Sequence, residues 1–162
     1  MSIYKQIGIS LSLILTSFFA PIHLANAQTV DLKSVKVTLQ SCKRSSYTVK
    51  CYFVVNSKID WEVFFYNIGM IDLYGREYFS REAQLGQDRV PYTSWGYAKA
   101  NMVIETPLVA ISTFKDIPDD VKEIAFLSVG VRTKNLAEST RRASFGDFIY
   151  QGLMFRNIPI SE

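Results

Sequence analysis

The sequence predicts an all-β protein, an antiparallel β-sandwich of about seven or eight strands in two sheets. Three observations carry that expectation. Several short runs alternate apolar and polar residues with a period of two, turn residues punctuate them at intervals, and no segment carries the apolar stripe of an amphipathic helix. With 11 Phe, 9 Tyr and 2 Trp in 162 residues, the composition suits strands and argues against disorder.

Residues 1–27 read as a cleavable signal peptide. Lys5 supplies a positive start, Ile7 to Ala20 form an apolar run, and Ala25-Asn26-Ala27 is a small-x-small cleavage site. The run falls short of the ~20 residues a membrane span needs, which argues against a retained anchor. The first cysteine, Cys42, lies too far downstream for lipid attachment. The processed chain is therefore expected to be soluble, with no stable membrane insertion, in the periplasm or outside the cell. Residues 28–162 then form a single domain, long enough to bury a core without relying on disulfides. Removing Lys5 from the 18 Lys plus Arg leaves 17 against 15 Asp plus Glu, a formal charge of +2. That is too small to suggest nucleic acid as a partner.

Val35, Val37 and Leu39 alternate with Lys36, Thr38 and Gln40, and Thr48 to Val55 resumes with β-branched and aromatic residues, so Ser34 to Asn56 reads as a hairpin. A two-residue tip at Ser46-Tyr47 sets Cys42 opposite Cys51 in a non-hydrogen-bonded pair, whose Cα atoms lie ~4.5 Å apart and within disulfide range. Export favours such a bridge, and eight intervening residues do not make the C-x-x-C geometry of a redox pair. In that register the two strands disagree about which face is apolar. A bulge between the cysteines and the open end of the hairpin repairs the disagreement.

Trp61 to Tyr66 is strand-like and too apolar for clean alternation. Ile71 to Tyr78 reads as a second hairpin, with Gly75 supplying the positive φ of its turn. Gln84 to Asp88 ends the next strand, and Arg89 to Asn101 reads as a long surface connection. A strand follows Pro107. Asp116 to Glu123 reads as a turn with one helical coil, capped by Asp116 and started at Pro118. Ile124 to Val131 is a strand, Thr133 to Asp147 a polar loop, and Phe148 to Ile160 a last strand whose Pro159 points to an edge.

Several of these segments resemble the extracytoplasmic immunoglobulin-like domains of unknown function that recur in bacterial proteins. The resemblance rests on Cys42 with Cys51, Ile71-Asp72-Leu73-Tyr74-Gly75-Arg76-Glu77-Tyr78, Leu85-Gly86, Ser112 to Pro118, and Phe155-Arg156-Asn157-Ile158-Pro159-Ile160. It implies an immunoglobulin-like β-sandwich and brings no catalytic residues. The stretches from Tyr92 to Tyr97 and from Asn135 to Asp147 are longer than the family pattern, which makes them the places for a specific function.

The chain holds one histidine, His23, and it leaves with the leader. Without an imidazole, Ser-His-Asp or Cys-His catalysis and His-ligated metal sites lose their central group. No phosphate-binding glycine loop appears, and no cofactor is expected. Asp116, Asp119, Asp120 and Glu123 offer oxygen ligands for calcium, but their spacing matches no defined calcium loop and a capped turn is the simpler reading. Asp72, Glu77, Glu82 and Glu105 could furnish the two acids of a glycoside hydrolase, although no spacing singles out a pair. Tyr92, Trp95 and Tyr97 can stack on an envelope glycan or anchor a protein partner, or else fold back over an open end of the sandwich. Arg141 and Arg142 can meet an acidic partner or simply face water. The expected function is an exported, non-catalytic binding or accessory module of the cell envelope. The alternatives are a carboxylate-based glycoside hydrolase and a structural subunit of an extracellular assembly, which would leave an unpaired edge along Phe148 to Phe155.

Overall fold

Strands β2 (Val35–Ser45) and β3 (Thr48–Ser57) form the expected hairpin, turning at Ser46, whose φ is +54°, and Tyr47. Cys42 pairs directly with Cys51 and the two are disulfide-bonded. The bulge falls at Gln40, where the register shifts between Leu39 and Ser41. Before it Val35, Val37 and Leu39 point inward, and after it Cys42 does, so both strands present one apolar face.

The computed structural model describes residues 27–91, 97–135 and 148–162. The other strands are β1 (Gln28–Asp31), β4 (Trp61–Asp72), β5 (Glu77–Tyr78), β6 (Glu82–Leu85), β7 (Asp88–Pro91), β8 (Ala98–Met102), β9 (Pro107–Phe114), β10 (Glu123–Asn135) and β11 (Phe148–Ser161). One sheet runs β1-β2-β3-β9-β6-β7. The other joins β4, β10 and β11, with β5 and β8 sharing the outer edge of β4. The end of β11 crosses over to pair in parallel with β2 at Ile160↔Cys42 and Ser161↔Lys43. The orders β2-β3-β9-β6 and β4-β10-β11 are the A-B-E-D and C-F-G sheets of an immunoglobulin-like β-sandwich.

The sheets close on an aromatic centre. Phe53 of β3 meets Phe65 of β4 and Phe155 of β11 with ring centroids 5.5 and 5.6 Å apart, and all three are fully buried. Their placement follows from the period of two: Val49, Cys51, Phe53 and Val55 share one face of β3, and Leu127, Val129 and Val131 share one face of β10.

Four features differ from the sequence reading. Eleven strands are present among the described residues, because short segments pair along edges that longer strands had left open. Arg89 to Asn101 is not all connection, since it contributes to β7 against β6 and to β8 against β4. Strand β10 continues to Asn135, into the stretch read as a loop. Asp116 to Glu123 forms no helix. Asp116 takes φ +61°, the Ile117 N–H donates to the Tyr47 carbonyl, and the Arg44 guanidinium donates to the carbonyls of Ile117 at 3.0 Å and Val121 at 2.5 Å. Ile117 and Val121 are both buried, so core packing and Arg44 together override the helix-start signals at Asp116 and Pro118.

Candidate functional site

The outer face of the β5-β4-β10-β11 sheet is built in cross-strand rows. Around the bulges in β4 and β10, the inward positions are taken by Met70, Leu127 and Phe155, which leaves their neighbours facing out. Glu77, Ile71, Phe126 and Arg156 stand side by side in one row. Gly69, Ser128 and Met154 make the next, and Tyr66, Gly130 and Gly152 the one after.

Between the first two rows lies a groove of about 300 Å³. Ile71, Phe79, Phe126 and Met154 give it apolar walls, with Glu77 and Ser128 among the polar groups that line it. Phe79 is 57% exposed and Met154 63%, so these walls stand in solvent. Glycine makes room for the concavity. A Cβ at Gly69, which lines the groove, would lie 3.1 Å from the Tyr78 carbonyl; in the row beyond the groove, one at Gly130 would fall 2.1 Å from the Tyr66 ring, so that ring lies directly against bare backbone. On β11 the Arg156 guanidinium sits 4.5 Å from the centre of the Phe126 ring, a cation–π contact at the end of the row.

The hairpin beneath the groove is locked by Asp72. Its buried carboxylate accepts from the N–H groups of Tyr74 and Arg76 at 2.8 and 2.9 Å, and from Nε of Arg76 at 2.6 Å. Burial pushes the Asp72 carboxyl up, but the hydrogen bonds from Arg76 and Tyr74 and the Arg76 charge outweigh it and hold the group below its usual range. Gly75, with φ +80°, completes the turn. Arg76 also reaches Asp120 at 2.9 Å, tying this hairpin to the connection between β9 and β10.

The described residues among those singled out from sequence are dispersed. Tyr97 lies edge-on against Phe64 with centroids 5.0 Å apart, and Arg132 lies over both rings, so Tyr97 packs on the same outer face while staying 40% exposed. Tyr92, Trp95, Arg141 and Arg142 lie outside the described residues. In the acidic segment, Asp119 pairs with Arg44 at 3.6 Å, Asp120 with Arg76, and Glu123 opens β10. Among the described residues no cluster of three or more His, Cys, Asp or Glu is placed to hold a metal ion. Of the four acids considered for hydrolysis, Asp72 is committed to the hairpin, Glu82 pairs with Arg89 at 3.3 Å, Glu105 sits in a turn at φ +60°, and Glu77 lines the groove.

Of the groove residues, Glu77 alone was among the candidates read from sequence, and as an acid rather than as part of an apolar groove. A signal was present at Phe126, an aromatic on the otherwise polar face of an alternating strand, and at Met154, apolar between two core residues. Phe79 carried none.

No family model and no curated protein matches the chain. Among solved structures it is similar to the GAE domain of GGA2p from Saccharomyces cerevisiae, at 9% identity, over 80% of this chain and 96% of that one, with a TM-score of 0.39. The strand order itself assigns the immunoglobulin-like class.

Proposed function

We propose that this chain is an exported, non-catalytic binding module of the cell envelope, and that it takes a protein partner through the groove on the outer face of β4, β10 and β11. The observation that carries this reading is the exposed apolar concavity between Phe79, Phe126 and Met154. Grooves that accept an anchoring side chain combine apolar walls with a few polar groups, and a side chain buried there accounts for most of the binding energy. An envelope glycan fits this lining less well, because each buried hydroxyl requires its own hydrogen-bond partner. Export is supported by the leader-like first 27 residues and by the Cys42–Cys51 bridge, which persists in oxidising compartments. None of the described residues forms a helix long and apolar enough to cross a membrane. The engagement of Asp72 and Glu82 in ion pairs supports a non-catalytic role.

The groove is tested with the apolar dye 1-anilinonaphthalene-8-sulfonate, titrated against the native chain and against Phe79→Ser and Met154→Glu. Both positions are exposed, so the fold tolerates the changes. Saturable binding of one dye per chain, weakened about tenfold or more in each variant, supports the site. Binding that is absent in the native chain, or indifferent to both substitutions, rejects it.

A further inference from the structure

The free edge of β11 goes beyond the groove. Strand β11 is 14 residues long, pairs with β10 on one side, and on the other, among the described residues, touches a strand only at Ile160 and Ser161. Gln28 shows which way the backbone points. Its side-chain amide donates to the Arg156 carbonyl and accepts from the Arg156 N–H at 2.9 Å, as a neighbouring strand would. Both polar groups of Arg156 therefore point away from β10. The ladder from Phe126↔Arg156 to Lys134↔Phe148 is unbroken, so by strand alternation the N–H and C=O groups of Met154, Gly152, Tyr150 and Phe148 point the same way. Among the described residues no strand pairs with them.

Edges of this length are usually guarded by charge or proline. From Phe148 to Phe155 the sequence has neither. The charge arrives at Arg156, where Gln28 has already sealed the backbone, and the left-handed Asn157 at φ +52° and Pro159 follow. The protected end and the open end of one strand thus meet at a single residue.

We infer that this edge pairs with β11 of a second copy of the chain, antiparallel, about a two-fold axis at Gln151. Self-pairing is singled out because the four open residues satisfy one another. In the register that sets Gln151 opposite its own copy, Phe148 opposes Met154 and Tyr150 opposes Gly152, and all four find partners. Centring the axis on Gly152 instead would set Phe148 against the sealed Arg156. The chosen register also sets an aromatic residue against a glycine around which a Cβ would meet nothing within 4 Å, and an aromatic opposite a glycine stabilises strand pairing. No like charges meet along the contact, and the interface is isologous, as closed dimers require. One strand pair is a small interface, so the dimer belongs to the weak class and exchanges at micromolar concentration.

The test is sedimentation velocity on the purified wild-type chain, with a cysteine scan beside it. The expected result is a dimer fraction that rises between about 1 and 100 µM and is abolished by Gly152→Lys, which sets a charge on the edge at a position outside the groove where a side chain meets nothing within 4 Å. Gln151→Cys should cross-link to itself under mild oxidation, because the two positions would form a non-hydrogen-bonded pair with Cα atoms ~4.5 Å apart. Tyr150→Cys and Gly152→Cys should cross-link at least tenfold less. A monomer throughout that range with no Gln151→Cys cross-link overturns the inference. So does cross-linking equal at all three positions, or an edge that accepts a synthetic β-strand peptide while the chain itself stays monomeric. Dye binding in the groove is read separately, so either result stands without the other.

Discussion

Asp72 and Arg76 form the ion pair that closes the β4–β5 hairpin, with Nε of Arg76 2.6 Å from the buried carboxylate. Arg76 extends the link to Asp120, so one guanidinium joins the hairpin under the groove to the connection that leads into β10. The groove wall and the connection into β10 are therefore tied to the same side chain.

Replacing Asp72 with Ala leaves the N–H groups of Tyr74 and Arg76 without their acceptor. The expected loss is about 1 to 3 kcal/mol, read by urea unfolding at neutral pH. Because the folded carboxyl titrates below its unfolded value, its contribution is complete above the unfolded pKa and disappears as pH falls through the lower folded one. The stability gap between wild type and Asp72→Ala should therefore narrow as pH is lowered from 5 towards 2. A gap that widens on acidification would show that the carboxylate is not held in its charged form.

Cys42 and Cys51 close a loop of nine residues' separation, with Cα atoms 4.0 Å apart. The double variant Cys42→Ser, Cys51→Ser should lose about 2 to 3 kcal/mol and still fold, because the hairpin keeps its ladder and its buried face. Thermal unfolding with and without reductant should give matching shifts for the wild type and none for the variant. Complete loss of the β-sheet circular dichroism signal would assign the bridge a larger role than this.

Phe53→Ala removes the ring that both Phe65 and Phe155 contact. A cost of about 3 to 5 kcal/mol is expected, against about 0.5 kcal/mol for Phe79→Ser on the exposed face. Comparable losses at the two positions would contradict the packing described.

If residues 1–27 are a leader, the protein recovered from outside the cytoplasm begins at Gln28. Edman sequencing or intact mass decides this directly, and a start at Met1 in exported material would reject it. The N-terminus matters to β11 as well, since Gln28 is the residue that seals Arg156.

Much of the fold was legible where signals were local. The alternation through Val35, Val37 and Leu39, the tip at Ser46-Tyr47 and the facing cysteines are all set within about twenty residues. Even the need for a bulge showed as a conflict between two apolar faces, although only the paired strands place it at Gln40. For Tyr97 the sequence left open an exposed anchor or a ring folded back on the sandwich, and its contacts with Phe64 and Arg132 arise only once β4 and β10 are paired.

What the chain determined by itself is its class: period-two runs, turn residues and the absence of an amphipathic helix allow little but stacked antiparallel sheets. Tertiary structure alone decided which short segments became strands, why Asp116 to Glu123 is a turn gripped by Arg44, and where the groove and the open edge lie. The physical reason is range. Alternation and turn chemistry act between neighbours in sequence, whereas a groove made by Ile71, Phe126 and Met154, or a backbone sealed at Arg156 by Gln28, exists only once distant strands are hydrogen-bonded in register.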